Sequence, residues 1–240
     1  MQLQGVFVFL SALAFTTATP LRRRCNSTTP TPSVTYDLPS TGGATSLPSP
    51  DAVLKYIAVG HGVQNYTCSA AGVAATSVGA LAVLHDITSL YPGSGPNALT
   101  STSWNSFTST VLRTTSMPID ASNPTSPFPP EAALTVSGVS QSLPFLGHHF
   151  FDNTGVPTFS IHDDAELLKA QKVLGIPAPS TADKGLSDEG AVDWLYLSDK
   201  GGSIGLTKVY RVLTSGGAAA VCGAVGDTQS VPYTAMYWFY

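Results

Sequence analysis

The stretch that decides the fold is Tyr233-Thr-Ala-Met-Tyr-Trp-Phe-Tyr240, in which five of eight residues are aromatic. In an extended strand, successive side chains point to opposite faces. One face would then carry Tyr233, Ala235, Tyr237 and Phe239, and the other Thr234, Met236, Trp238 and Tyr240. Since both faces are apolar, the stretch predicts a central strand covered on both sides, with Tyr237 and Phe239 in the core. An alternative leaves Trp238 and Tyr240 exposed, as a stacking platform for sugars or another flat ligand.

Other runs along the chain have the composition of strands and are punctuated by Gly and Pro. They are Leu54 to Val59, Gln64 to Cys68, Ala80 to Ile87, Phe145 to Phe151, Thr158 to His162, Asp193 to Leu197 and Ile204 to Leu213. Together with the terminal strand they predict a mainly β fold, an antiparallel β-sandwich or barrel of about eight strands with at most one short helix. That helix is predicted to begin at Asp163 or Asp164, because Leu167, Ala170, Val173 and Leu174 follow at helical spacing.

The composition of the chain predicts three parts. Residues 1–18 resemble a signal peptide, since Val6 to Phe15 is an apolar run too short to cross a bilayer as a helix. Residues 19–50 are rich in Pro, Ser and Thr and predict an extended arm. Residues 51–240 then form a single β-rich domain. Within it, 91–131 predicts a long loop that packs only by its aromatic residues, such as Trp104 and Phe107.

The signal peptide predicts a secreted, extracellular protein, released or held non-covalently in a wall or matrix. No later segment is apolar enough for a membrane span. The formal net charge is −4, and Leu21-Arg-Arg-Arg24 is the one basic cluster. That charge balance argues against a nucleic-acid partner.

The cysteines and asparagines agree with an oxidising compartment. Cys25, Cys68 and Cys222 are too far apart for a CxxC metal or redox motif. We expect Cys68 to pair with Cys222, and Cys25, in the arm, to be free or intermolecular. Asn26 and Asn65 lie in N-glycosylation sequences.

Four segments together resemble a known family. They are Gly60-His-Gly-Val-Gln-Asn-Tyr-Thr-Cys68, Trp194-Leu-Tyr-Leu197, Tyr210-Arg-Val-Leu-Thr-Ser-Gly-Gly217 and Val231-Pro-Tyr-Thr-Ala-Met-Tyr-Trp-Phe-Tyr240. The set is similar to a pattern in secreted fungal and bacterial proteins of unknown function, some of them loosely named malate dehydrogenase. The resemblance runs from about Leu47 to Tyr240. It implies the domain boundaries and secretion, and it supplies no catalytic residue.

The name malate dehydrogenase is not supported by the residues. Gly60-His-Gly62 follows an apolar run, and Asp86 ends another, which superficially mimics a dinucleotide-binding fingerprint. However, Asn65 stands at the third glycine position, and Tyr66-Thr67-Cys68 is strand-like where a helix is required. NAD-dependent hydride transfer is therefore disfavoured.

A histidine hairpin gives a second hypothesis. His148 and His149 precede a turn, and His162 and Asp163 follow it, so imidazole and carboxylate groups would meet on adjacent strands. Such groups suit Zn, Cu or Mn, and His149, His162 and Asp163 are the predicted ligands. His148 and His149 point to opposite faces, so both cannot join the site. In the alternative without a metal, these are simply polar residues on a solvent-exposed face of the hairpin.

Two classes of function follow. The leading one is a non-catalytic domain that binds a cell-wall or matrix glycan or another partner, with no cofactor. The alternative is a secreted metal-dependent enzyme that uses the His148, His149 and His162 hairpin. Nucleophilic catalysis has little support, because the chain has no G-x-S-x-G motif.

Overall fold

The protein forms a closed antiparallel barrel of eight strands in a computed structural model, which describes residues 34–43, 45–120, 122–123 and 125–240. The strands are β1 Tyr56–Thr67, β2 Thr76–Asp86, β3 Phe145–Phe151, β4 Pro157–Ile161, β5 Glu166–Ile176, β6 Trp194–Asp199, β7 Lys208–Gly216 and β8 Thr228–Phe239. Each strand pairs with the next in the chain, and β8 pairs with β1. The mainly β prediction is confirmed, and the barrel is the correct one of its two alternatives. The predicted signal peptide, Cys25 and Asn26 lie outside the described residues.

The C-terminal half of strand β8 is buried on both faces. The whole strand pairs with β1 over twelve residue pairs, from Tyr56 opposite Phe239 to Thr67 opposite Thr228, and it pairs with β7 on its other side. The exposed fraction of every residue from 233 to 240 is 4% or less. The prediction of a central strand covered on both faces, with Tyr237 and Phe239 in the core, is therefore confirmed.

The two faces of β8 enter two different hydrophobic cores. The inner core fills the barrel interior and includes Tyr233, Ala235, Tyr237 and Phe239 of β8. The outer core covers the opposite face of the same strand and includes Met236, Trp238 and Tyr240. Strand periodicity thus divides one short segment between both cores.

Strand β1 is longer than the sequence predicted. The runs at 54–59 and 64–68 belong to one strand, and Gly60 and Gly62 lie in its middle. A Cβ atom on Gly60 would come within 2.6 Å of the Tyr237 ring, so glycine here makes room for an aromatic side chain inside the barrel. Gly60-His-Gly62 is therefore strand and not a phosphate-binding turn, in agreement with the argument against a dinucleotide site.

The helix predicted after Asp163 is wrong, because Glu166–Ile176 is strand β5. His162, Asp163 and Asp164 all have positive φ, from 49° to 64°, and form the tight turn into this strand instead of a helix cap. Leu168 and Ala170 are fully buried at a spacing of two, in the inner core. The helical spacing of the apolar residues does not mark a buried helix face, because Val173 and Leu174 are exposed in β5.

Helices occur instead where a loop was predicted. A 3-10 turn at Thr88–Leu90 precedes α1 Ser101–Asn105 and α2 Phe107–Thr114, which are separated by one residue and form one short helical stretch. Their buried residues are Trp104, Phe107, Thr108, Val111 and Leu112, so the segment packs by aliphatic as well as aromatic side chains. The Thr108 carbonyl accepts a hydrogen bond of 2.7 Å from Thr234 of β8. No helix within the described ranges is long and apolar enough to cross a bilayer.

The segment before β1 also covers the outer core. Tyr36 and Leu38 pack against this core, and Leu47 is a buried member of it. The Tyr36 and Tyr91 rings lie 4.8 Å apart, and the Tyr91 hydroxyl accepts a hydrogen bond from the Asp37 main-chain nitrogen. These contacts place residues 34–43 and 45–54 beside the outer face of the barrel.

A disulfide joins Cys68, just after β1, to Cys222, in the loop before β8, as predicted. It closes a loop with a sequence separation of 154 residues. Main-chain hydrogen bonds join the same two segments, from Gly72 to Cys222 and from Cys222 to Val73. The bridge therefore fixes two loops that meet at one end of the barrel.

Removal of residues 233–240 tests whether β8 is an integral part of the fold. Three buried aromatic rings stabilise the protein by an amount on the order of 10 kcal/mol, comparable with the net stability of a domain. We expect the truncated chain to yield no secreted, folded protein when culture supernatants are compared. The control is Tyr240→Phe, which keeps the ring and should be secreted and melt cooperatively. A truncated form with a cooperative thermal transition would contradict the assignment.

Candidate functional site

The barrel contains a cavity of about 830 Å³ at the end where β1 finishes and β8 begins. Its lining includes Gln64 and Tyr66 of β1, His149 and Phe151 of β3, Phe159 of β4, Lys172 of β5, Leu195 and Leu197 of β6, Arg211 of β7 and Tyr237 of β8. Residues 218–221, beside the disulfide at Cys222, form part of the rim. The opposite end is filled by side chains of the inner core, so the interior is packed at one end and open at the other.

Stacked rings form one wall of the cavity. The His149 and Phe159 rings are nearly parallel, at 6°, with centroids 4.1 Å apart. The Tyr237 ring lies 5.7 Å from His149 and 5.3 Å from Phe159. Flat rings at these distances give the cavity an apolar, aromatic surface.

His149 is neutral at physiological pH. Burial lowers the pKa of its imidazole to about 4, and the positive charge of Arg211 acts in the same direction. Its Nδ1 lies 2.9 Å from the Thr158 carbonyl oxygen. Because a carbonyl only accepts, Nδ1 donates, and Nε2 is the acceptor of the ring.

Polar groups lie next to this wall. The hydroxyls of Tyr233 and Tyr237 are hydrogen-bonded at 2.9 Å, and burial raises the pKa of both. Gln64 is 4% exposed, and its Nε2 has no hydrogen-bond partner of good geometry among the described residues. The Gln64 amide is still close enough to the Tyr233 hydroxyl to oppose the rise of the pKa of that hydroxyl.

The charges of the lining are two formal cations, Lys172 and Arg211, and one carboxylate, Asp193. Arg211 donates from Nε and Nη2 to the main-chain oxygen of Asp193, at 3.1 and 2.9 Å. The charge of Arg211 lowers the pKa of Tyr66 and Tyr237 against the effect of burial. The cavity therefore has a net positive lining in a chain whose formal net charge is −4.

The structure does not assemble the predicted metal site of His149, His162 and Asp163. His149 points into the barrel, whereas His162 is half exposed at the turn before β5, with its ring 5.5 Å from Tyr56. The His148 ring packs on the outer face, with its centroid 4.1 Å from that of the Phe128 ring. Burial lowers the pKa of His148, and the charge of Asp163 opposes that shift. Among the described residues, no three His, Cys, Asp or Glu side chains are grouped to hold a metal ion. His149 pairs with Phe159 within the hairpin, whereas His162 lies beyond the Gly147–Ile161 pair at its other end, so the two imidazoles are separated along the strands.

Trp238 and Tyr240, the predicted stacking residues, are buried in the outer core at 0% and 4% exposure. Trp104 and Tyr91 pack edge-on against Trp238, which leaves it no face for a ligand. Tyr240 does border a second cavity of about 600 Å³, between the barrel and residues 36–54.

Asn65, which lies in a predicted N-glycosylation sequence, belongs to β1. Its pairing partners are Gly79 of β2 and Ser230 of β8, and its Oδ1 accepts a hydrogen bond of 2.8 Å from the Ser230 hydroxyl. The side chain is partly exposed.

The sequence analysis missed Gln64, Tyr66, Lys172 and Arg211 as a group. Arg211 stood only inside the predicted strand Ile204 to Leu213, and in the structure its side chain lines the interior cavity. A signal was present in the segments that carry the family resemblance, because they contain Gln64, Tyr66, Arg211 and Tyr237. Nothing in the sequence showed that these segments meet at one end of a barrel.

The protein is thus an eight-stranded antiparallel barrel with an interior pocket at one end, whose walls are apolar and carry a few polar groups. The chain belongs to a family described as "Protein of unknown function (DUF3455)", whose model matches residues 48–240. Comparison with curated proteins and with solved structures gave no match.

Because the folded protein buries neutral histidines, we expect its free energy of unfolding to fall as the pH is lowered. Burial also lowers the pKa of His61 to about 4, and both His61 and His149 return to about 6.5 on unfolding. Above pH 6.5 neither group adds a pH dependence. Between pH 6.5 and 4 the unfolded chain binds protons that the folded chain excludes, so the free energy of unfolding falls by about 1.4 kcal/mol per pH unit for each group.

His149→Asn keeps a donor for the Thr158 carbonyl and removes one of these titrations. Urea unfolding at pH 7.5, 5.5 and 4.5 should therefore give a pH slope that is shallower by about one proton than that of the wild type. An unchanged slope would show that His149 is not held neutral by burial.

Proposed function

We propose that this protein is a secreted, non-catalytic binding protein that holds one small organic molecule in the open end of its barrel. The observation that carries the proposal is the interior cavity lined by Gln64, His149 and Arg211, while the other end of the barrel is packed. An eight-stranded barrel is wide enough either to be filled by side chains or to hold one small ligand.

The size and lining of the cavity support this function. Small-molecule sites have volumes of about 300–1,000 Å³, and they combine apolar walls with a few polar groups. The cavity, at about 830 Å³, has a wall of His149, Phe159 and Tyr237 and polar groups from Gln64 and Arg211. The ligand would lie between strands whose positions the closed sheet fixes.

The protonation state of His149 favours binding over catalysis. An efficient general base has a pKa near the pH at which it works. The His149 pKa of about 4 makes its imidazole a weak base at neutral pH. The ring therefore serves better as a flat contact surface and a hydrogen-bond acceptor.

Secretion rests on the predicted signal peptide at 1–18 and on the disulfide. Disulfides persist in oxidising compartments and are rare in the cytosol. The bridge between Cys68 and Cys222 supports an extracellular location. Glycosylation at Asn26 and Asn65 belongs to the same proposal.

Binding of a neutral fluorescent probe tests the cavity. N-phenyl-1-naphthylamine should bind with saturable fluorescence and a stoichiometry of about one per chain. Ala219→Trp places a large ring at the rim and should weaken binding about tenfold or more, a loss of about 1.4 kcal/mol. Ala133→Trp adds the same ring at an exposed position that does not line the cavity, and it should leave binding unchanged. Equal binding by both variants, or none by the wild type, would refute the proposal.

Glycan binding is a second candidate, at the cavity beside residues 36–54. Trp194 and Tyr240 border it together with the hydroxyl-bearing residues Ser40, Thr41, Ser46 and Ser49. The Trp194 Nε1 and the Tyr240 hydroxyl are buried without a hydrogen-bond partner among the described residues. Aromatic and hydroxyl groups in one cavity suit a sugar.

Ser49→Trp would narrow this second cavity and should reduce retention on chitin, cellulose or β-glucan. Ser69→Trp, at an exposed position outside both cavities, should be retained like the wild type. Measurement of the bound fraction after pull-down distinguishes the two variants. A wild-type protein that stays in solution with all three polymers would remove this candidate.

A further inference from the structure

We infer that the ligand of the barrel cavity is an organic anion, a carboxylate on a flat apolar body, and that Arg211 and Lys172 recognise its charge. This inference rests on the proposed function, because it names the chemical class of the molecule in the same cavity. Three features of the structure support it. Arg211 has no carboxylate partner, Lys172 lines the same cavity, and the lining has a charged part and an apolar part.

Arg211 is held by the main chain and not by a carboxylate. Its Nε and Nη2 both donate to the Asp193 carbonyl oxygen. Within the described part of the chain, no carboxylate lies within 4 Å of its guanidinium, whereas Arg113 forms an ion pair with Asp183. The charge of Arg211 is thus fixed in position without being neutralised, and its remaining N–H groups suit a carboxylate.

Lys172 adds a second cation to the rim. It lines the cavity from β5, and it too has no ion pair among the described residues. In contrast, Lys55 and Lys208, elsewhere on the barrel, pair with Glu166 and Asp51. With two cations and one carboxylate, Asp193, the lining keeps a net positive charge that would attract an anion, since the low dielectric of a partly enclosed site strengthens such attraction.

The apolar part of the lining would contact the flat body of the ligand. Phe151, Phe159, Leu195 and Leu197 give the cavity apolar walls, and the His149 ring stacks on Phe159. A flat apolar body would lie against these rings, and its carboxylate would face Arg211 and Lys172. An aliphatic body would make fewer ring contacts, and a cationic molecule would meet two like charges.

The test compares 2-naphthoate with 2-naphthamide, which share a ring system and differ in charge. Each is used at pH 7.5 to displace N-phenyl-1-naphthylamine from the full-length protein. Naphthoate should bind the wild type about tenfold or more tightly than naphthamide, as expected for hydrogen bonds to a charged group. Its affinity should fall as the salt concentration rises.

Substitution of Arg211 and Lys172 tests whether these two cations cause the preference for naphthoate over naphthamide. Arg211→Gln and Lys172→Met should each weaken naphthoate about tenfold, and each should weaken naphthoate more than naphthamide. Lys200→Met removes the same charge from an exposed position outside the cavity, and it should not affect either molecule. Lys172 is exposed, so its variant should fold even if Arg211→Gln does not.

The outcomes separate the inference from the proposed function. Naphthoate and naphthamide that displace the probe equally, or naphthoate that does not displace it, would overturn the anion inference and leave the binding function intact. Naphthoate affinity that is unchanged by Lys172→Met would overturn the role of Lys172. A wild-type protein that does not bind the probe at all would overturn the proposed function itself.

Discussion

The pairing of the last strand with the first is the constraint on which the rest of the structure depends. β8 joins β1 over twelve residue pairs and turns a row of hairpins into a closed sheet with no free edge. The same strand is buried on both faces, because its odd residues from Tyr233 fill the barrel and its even residues anchor the outer core. Closure, interior packing and the attachment of α2 therefore depend on one segment.

Closure also creates the cavity. At the packed end, Phe239 of β8 and residues such as Leu84 and Ile161 fill the interior. At the other end, Tyr237 leans over Gly60, and polar or charged side chains replace the aliphatic ones. The disulfide fixes the rim loops at this end. The site is thus the unfilled end of the core, and its rigidity comes from the hydrogen bonds of the surrounding sheet.

Burial and the charge of Arg211 both lower the pKa of His149, whereas they act in opposite directions on the pKa of Tyr237. Desolvation keeps His149 neutral and the Tyr233 and Tyr237 hydroxyls protonated. Arg211 lies among them, held by hydrogen bonds to the Asp193 main-chain oxygen and without an ion pair among the described residues. The site therefore presents neutral hydrogen-bonding groups around fixed positive charge, an arrangement that suits recognition of an anion more than proton transfer.

The sequence alone determined the strand-rich class and the burial of β8 on both faces, because alternation is a local signal. The Cys68–Cys222 pair was predictable because Cys25 lies in the predicted arm, which leaves two cysteines in the domain. It misplaced the helix, since the pattern after Asp164 fits two periods and only packing against β4 and β6 selects the strand. Only the tertiary structure decided the site. Gln64 and Arg211 are 147 positions apart in the sequence, and what brings them to one cavity is the register of strands around a closed barrel.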